Sequence, residues 1–333
     1  MTRRRNSRNS SVLPKPQWRA PASRLTLGSP GRSVIRTLTT IVLTTMFLAI
    51  GGLAGSAQEE CRVQTVVFDR AIQPGEVVRL DATCDCDAMR ATATVFGQDV
   101  PLFPIRDGDA WRGLIGIDLD IKPGTYPIAV VVDRGEKPPV TTTRDLAVVT
   151  KRFPIRRLRV PARFVNPPAS AIERIQDEAD RLRTVFLTVT WPRQWHRPFQ
   201  APARAPTSGN FGMRSVFNGQ PRSPHSGVDF RSKAETPVAA PATGVVTAAE
   251  SLFFTGNTVV IDHGLGLYSL LAHLSKFAVK TGDRVQRGQI VGFVGATGRV
   301  SGPHLHWSVR LNGARVDPLS LIAATKESKE PSE

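Results

Sequence analysis

Cysteine, tyrosine and acidic residues are the scarce components of this chain, and each shortage narrows what the protein can be. Only three cysteines occur in 333 residues, Cys61, Cys84 and Cys86. Cys84-Asp-Cys86 has no second Cys or His pair to complete a zinc knuckle, so a disulfide from Cys61 to either Cys84 or Cys86 is the expected use, leaving one thiol over. Aromatic residues make up 7% of the chain, and no run of them interleaves with basic residues, which argues against a nucleic-acid partner. No G-x-x-x-x-G-K-[ST] loop and no internal repeat appears, so a nucleotide enzyme is not supported. The longest apolar run, Leu38 to Leu53, is short for a bilayer span.

Residues 1–57 contain no acid at all, only nine Arg and Lys. The formal net charge of +16 is therefore concentrated at one end, and the remaining chain is moderately basic, which suits an anionic polymer. Residues 1–36 read as a disordered basic leader. Residues 37–57 read as a signal peptide ending at the small residues Gly55 and Ala57, or as an uncleaved membrane anchor. Either way the remainder is exported, to the periplasm or cell envelope. No Cys directly follows Ala57, which argues against a lipoprotein.

Glycine and proline are plentiful, at 27 and 26, and favour short strands and turns. Residues 61–150 read as an immunoglobulin-like β-sandwich of six strands, with turns at Pro74-Gly75, Asp107-Gly108 and Pro123-Gly124. Residues 151–200 form a basic connector with a helix at about 170–186, which Ser170 is placed to cap. Its residues Ile172, Ile175, Ala179, Leu182 and Phe186 fall at helical spacing and make one apolar face. Residues 201–320 return to β structure, with a type I′ hairpin at Asn312-Gly313. Residues 321–333 form a polar tail.

Four of the six histidines sit in three short stretches of that last domain: His225-Ser-Gly-Val-Asp229, Leu271-Ala-His273-Leu274 and Gly302-Pro-His-Leu-His-Trp307. On a strand, His304 and His306 share one face, with Leu305 and Trp307 on the other. A hydrolytic zinc site needs three protein ligands and an open position. His225 and Asp229 reach one ion if Gly227 allows the chain between them to turn, and one histidine of the 304/306 pair completes the set. The remaining member and His273 are then free for proton transfer near neutral pH. Serines 226, 269 and 301 have no nucleophile-elbow context, so Ser-His-Asp catalysis is the weaker reading. His196, beside Trp195, reads as a surface or interdomain residue, and His263 as a turn or supporting residue.

At these positions the chain resembles the lysostaphin/LytM-type zinc metallopeptidases of bacterial cell-wall peptidoglycan. The resemblance runs from Phe211 to Pro318 through Phe211-Gly-Met-Arg214, His225-Ser-Gly-Val-Asp229, Thr236-Pro-Val-Ala-Ala240, Ala272-His-Leu274, Lys280-Thr-Gly-Asp283, Arg287-Gly-Gln289, Gly295-Ala-Thr-Gly298 and Gly302-Pro-His-Leu-His306. It implies a mainly β protein, with an antiparallel metallopeptidase domain behind the immunoglobulin-like module and the connecting helix. It further implies Zn2+ bound by His225, Asp229 and His306, with His273 and His304 as unligated catalytic histidines. The implied substrate is the peptide stems of peptidoglycan, cut as an endopeptidase cuts cross-links; a D-Ala to diaminopimelate bond suits this layout. Inner-membrane anchoring through residues 37–57 and contacts with divisome or wall-synthesis proteins are the other partners the layout accommodates. The competing reading is a non-catalytic LytM-like regulator of another wall hydrolase. Leu271 and Trp307 depart from commoner family residues, and Asn218 is the substitute for a missing tyrosine ahead of His225; these changes bear on substrate preference rather than on ligation.

Overall fold

The structure, a computed structural model, describes residues 61–106, 109–159, 165–208 and 211–326. The leader at 1–36, the apolar segment at 37–57 and the Asp107-Gly108 turn lie outside the described residues. The described chain is mainly β, and the described residues fall in one compact unit.

Eight strands form the first layer pair: β1 (Val63–Phe68), β2 (Val77–Cys84), β3 (Arg90–Val95), β4 (Gln98–Pro101), β5 (Phe103–Arg106), β6 (Ala110–Gly116), β7 (Gly124–Arg134) and β8 (Lys137–Val148). They make two antiparallel sheets, ordered β1-β2-β6-β5 and β4-β3-β7-β8. Period-two alternation sends Ala91, Ala93 and Val95 of β3 and Ile128, Val130 and Val132 of β7 into a core shared with Leu80, Ala82 and Ile115. β4 and β5 were not expected, because Pro101 and Pro104 interrupt the pattern. Both strands are sheet edges, where a proline costs no ladder bond.

Leu80, Ala82 and Cys84 lie on the same, inward face of β2. Cys84 is accordingly a buried free thiol, donating to the Cys86 carbonyl at 3.0 Å. Cys86, beyond the end of the strand, is the residue that bridges to Cys61.

The connector holds β9 (Ile155–Leu158), a 3₁₀ turn at Ala169–Ala171 and α1 (Ile172–Leu187). Ser170 falls inside the 3₁₀ turn and makes no cap; Ala171 takes the N-cap position without a side-chain bond. Only the C-terminal half of the apolar face is buried. Phe186, Leu182 and Val185 pack on Val260, Tyr268, Leu270 and Ala272, whereas Ile172 and Ala179 face solvent. Polar contacts hold the N-terminal half: the Arg174 guanidinium donates to the Ser251 carbonyl at 2.9 Å and Glu178 accepts the Phe253 amide at 2.8 Å.

The last domain contains β10 (Arg214–Phe217), β11 (Gln220–Pro221), β12 (Gly227–Phe230), β13 (Pro237–Ala239), β14 (Gly244–Leu252), β15 (Gly256–Asp262), β16 (Leu267–Phe277), β17 (Arg284–Val285), β18 (Ile290–Val294), β19 (Leu305–Leu311), β20 (Ala314–Val316) and α2 (Pro318–Thr325). β10 pairs with β11 and, in parallel, with β9 of the connector. The others form a nine-stranded sheet with the path β12-β19-β16-β15-β14-β17; β18 joins β16 to β13, and β20 closes on β19. Asn312 and Gly313 both take positive φ, +49° and +80°, as the type I′ turn requires. α2 runs to Thr325 with Leu321 fully buried, so the polar tail expected from residue 321 begins instead as part of a helix.

The sandwich is fastened to this domain through β20 and α2. The Arg315 amide donates to Asp118 at 2.8 Å, and its guanidinium bonds both Asp118 and Asp120. The Val77 amide donates to Ser320 Oγ and the Asp317 amide to the Gly75 carbonyl. A Cβ on Gly116 would stand 3.0 Å from that of Ala314, so the two surfaces meet at backbone distance.

Candidate functional site

β19 lies between β12 and β16, and the register of these three strands builds the site. His306 is opposite Asp229 on one side and Ala272 on the other. Strand alternation sends Leu305 and Trp307 into the core, both fully buried, and turns His306 to the cleft. His304, one residue before the strand, bridges to Gly295 and faces the same cleft. Val228 and Phe230 point inward from β12, leaving Asp229 on the cleft side.

Gly227 acts differently from expectation. It is the first residue of a strand rather than the pivot of a tight turn, and its φ is not in the left-handed region. A Cβ there would lie 2.4 Å from the Trp307 carbonyl and 2.7 Å from His306 Cε1. Glycine is needed for the close approach of β12 to β19, which sets His306 against Asp229 and His225.

His225 Nε2, His306 Nδ1 and Asp229 Oδ1 converge. The separations are 3.1 Å from His225 Nε2 to Asp229 Oδ1, 3.1 Å between the two nitrogens and 2.8 Å from His306 Nδ1 to Asp229 Oδ1. Among the described residues this trio offers one ligand atom each within 4.8 Å of one another. Ligand atoms on a tetrahedral ion with bonds of about 2.0–2.1 Å stand roughly 3.3 Å apart. The trio is therefore within about half an ångström of that spacing, and its two nitrogens and one oxygen suit a zinc-like divalent cation. Burial would raise the Asp229 carboxyl, but hydrogen bonds from His225 and His306 and their charge hold it well below the usual carboxylate range.

His273 and His304 flank the trio. The His273 ring is 4.9 Å from that of His304 and 5.9 Å from that of His306, centroid to centroid. His304 Nε2 is 4.0 Å from Asp229 Oδ1. Each imidazole has Nδ1 against a backbone carbonyl: His273 on Thr297 and His304 on Gly302, both at 2.9 Å. A carbonyl only accepts, so Nδ1 carries the hydrogen and Nε2 of the neutral ring keeps its lone pair. Burial, with His306 close by, pushes His273 down to about 4.

His273 owes its direction to an irregular ladder. Leu274 pairs with Asn257 and Leu271 with Val259, so β16 carries one residue more than β15 over this stretch. His273 takes φ +65° and its amide donates to the Thr255 carbonyl at 2.9 Å. Such bulges re-aim a side chain beside a site.

The other sequence candidates lie elsewhere. His263 is fully buried, with Nδ1–H donating to the Thr243 carbonyl and Nε2 accepting from Ser269 Oγ, both at 2.9 Å. His196 is exposed and stands 3.4 Å from an Arg193 nitrogen. Asn218 sits at the tip of the β10–β11 hairpin and does not line the cleft with the histidines. Sequence reasoning missed Thr297 as the carbonyl that orients His273, and it missed the arginines of the cleft, Arg156, Arg222 and Arg299. The basic run around Arg156 was legible as a connector; its parallel pairing to β10, which brings it to the cleft, was not.

The cleft matches known proteins in sequence and in fold. Residues 223–318 match the pattern of peptidase family M23. The DD-carboxypeptidase/endopeptidase Mpg of Neisseria meningitidis is 45% identical over 103 residues, 31% of this chain and 24% of that protein. The peptidoglycan DD-endopeptidase ShyA of Vibrio cholerae is 42% identical over 127 residues, 37% of this chain and 30% of that protein. The chain thus spans 24% to 30% of the length of these curated relatives. A crystal structure of a candidate peptidase M23 from Pseudomonas aeruginosa is 32% identical, with a TM-score of 0.60 over 76% of this chain and 96% of that one. That likeness extends far beyond the histidine cluster, and the matched family pattern encloses His225, Asp229, His273, His304 and His306 alike; the chain belongs to peptidase family M23.

Proposed function

We propose that this protein is an exported zinc endopeptidase that hydrolyses the peptide cross-links of peptidoglycan. The observation that carries this reading is the convergence of His225, Asp229 and His306 with two further imidazoles whose Nε2 atoms remain available. His225 Nε2, Asp229 Oδ1 and His306 Nδ1 would hold the ion. Bound there, zinc supplies a Lewis acid that acidifies water and polarises a carbonyl. Two neutral ligands and one carboxylate leave a net charge near +1 at the site, which preserves that acidity.

His273 and His304 handle the proton. Because each Nδ1–H is committed to a backbone carbonyl, each ring is fixed in orientation and tautomer and presents Nε2 to the cleft. One Nε2 takes a proton from the attacking water, and the imidazolium so formed returns it to the leaving amide nitrogen or steadies the charge on the carbonyl oxygen. The depressed basicity of buried His273 keeps it neutral, and able to accept, at physiological pH.

The names of Mpg and ShyA support peptidoglycan as the substrate and a bond between D-amino acids as the target. The basic leader and apolar segment support a periplasmic or envelope location, anchored or released. Retention of all five site residues favours an enzyme over a non-catalytic regulator.

Digestion of purified sacculi tests the proposal. Zinc-loaded protein should release un-cross-linked muropeptides, detected by mass spectrometry; a chelator should stop release and added zinc restore it. Release that is indifferent to chelation, or absent with zinc demonstrably bound, would overturn it.

A further inference from the structure

The cleft around the histidines measures about 520 Å³ and its charge is lopsided. Its lining holds one carboxylate, Asp229, already bonded to two imidazoles, and three guanidinium groups, Arg156, Arg222 and Arg299. Other arginines, such as Arg70, Arg112, Arg174, Arg181 and Arg315, do pair with carboxylates. The three cleft arginines have no ion pair among the described residues.

Their placement is built. The Arg222 guanidinium is pinned by donating Nη2 to the Val165 carbonyl at 2.8 Å and to Gln220 Oε1 at 2.9 Å, while its Nε is buried with no partner. Arg299 follows Thr297, whose carbonyl orients His273, and its guanidinium lies 4.3 Å over the Phe254 ring. Burial and the positive charge of Arg222 both lower the proton affinity of Arg299, so the two cations feel one another across the cleft. Arg156 stands on β9 opposite Ser215 of β10, whose carbonyl accepts the Arg222 amide. Like charges gathered without an anion are unfavourable until one arrives, and a guanidinium fork fits a carboxylate with paired N–H donors.

We propose that the cleft selects peptides carrying a free carboxylate next to the scissile bond, gripped by Arg222 and Arg299, with Arg156 attracting it along the β9 wall. This deepens the peptidase reading and rests on it: the substrate class becomes anionic stem peptides, and amidation of that carboxyl becomes a way for a wall to resist cleavage. Each arginine makes a charge-assisted contact, so loss of the carboxylate should cost about tenfold or more.

The test pairs two cross-linked stem peptides that differ only in a free or amidated carboxyl beside the cleaved bond. The free acid should have a kcat/KM at least tenfold higher, falling as salt is raised. Arg222→Gln and Arg299→Gln, checked for unchanged zinc content and melting temperature, should bring the ratio of the two substrates towards one, with Arg→Lys at either position intermediate. In parallel, calorimetry on zinc-loaded His304→Ala protein should show tighter binding of the acid than of the amide. Equal kcat/KM and equal binding overturn the inference, as do glutamine variants that lower both substrates alike. If neither peptide is cleaved but the acid binds tighter, the peptidase reading fails while the carboxylate site stands.

Discussion

His263, just past the end of β15, and His273, on β16, belong to one hairpin and differ in what their ring nitrogens do. His263 commits both: Nδ1–H to the Thr243 carbonyl and Nε2 to Ser269 Oγ, which also accepts the Trp307 indole N–H at 3.1 Å. Donors and acceptors balance around that imidazole, and no water reaches it. His273, like His304, commits only Nδ1 and turns Nε2 to the cleft. A histidine with two protein partners is a structural crosslink; one with a single partner, beside a ligand trio, is available for chemistry. What separates the two in the fold is their tertiary partners.

The sharpest way to break this contrast is at the trio itself. His306→Ala or His225→Ala should abolish bound zinc and reduce wall digestion to background, read by metal analysis beside muropeptide release. Next in size, His273→Ala and His304→Ala should retain zinc but lose about 10²–10⁴-fold in kcat, the range of a general acid or base. A full-rate His304→Ala protein would remove that residue from the mechanism. On the structural side, Ser269→Ala leaves His263 Nε2 and the Trp307 N–H unsatisfied inside the core and should cost about 1–3 kcal/mol in denaturant unfolding, with zinc affinity unchanged.

Proton linkage sharpens the contrast further. Burial pushes His263 down to about 4, below its ordinary value of 6.5. The unfolded chain then binds the proton first, so this group's stability is complete above about pH 6.5 and is lost as pH falls towards 4, by on the order of 3 kcal/mol in all. His263→Gln should flatten that part of the pH–stability curve relative to the wild type. Smallest of all, His196→Ala should alter neither stability nor turnover by more than about 0.5 kcal/mol, because the ring is exposed.

Much of the site was legible because its chemistry is local in sequence. His225 and Asp229 are four residues apart, and His304 and His306 are two apart, so spacing alone joined each pair. Assigning 306 rather than 304 to the trio depended on family resemblance, since alternation treats them alike. In three dimensions the distinction comes from the pairing of β12 with β19, which sets Asp229 opposite His306. Long-range pairing also hid Arg156, which reaches the cleft only because β9 joins β10 across the intervening helix. In the sandwich, alternation located six strands but not β4 and β5, where prolines at sheet edges imitate loops. Helix spacing found α1, yet Ser170 proved to belong to a 3₁₀ turn and half of the apolar stripe remained in solvent. The pairing of Cys61 with Cys86 rather than Cys84 goes with where β2 ends: Cys84 is its last residue and points inward, and Cys86 lies beyond it, a boundary that composition does not mark.

The extra residue in β16 sets a limit on how this hairpin can change. At the far end, around Leu265 and Gly266, the turn can lengthen or shorten without touching the cleft. Between Asn257 and Leu274, deleting one residue would regularise the ladder and give a more orderly sheet, but it would swing the second imidazole to the opposite side. A regular ladder and an imidazole aimed into the cleft are therefore mutually exclusive at His273.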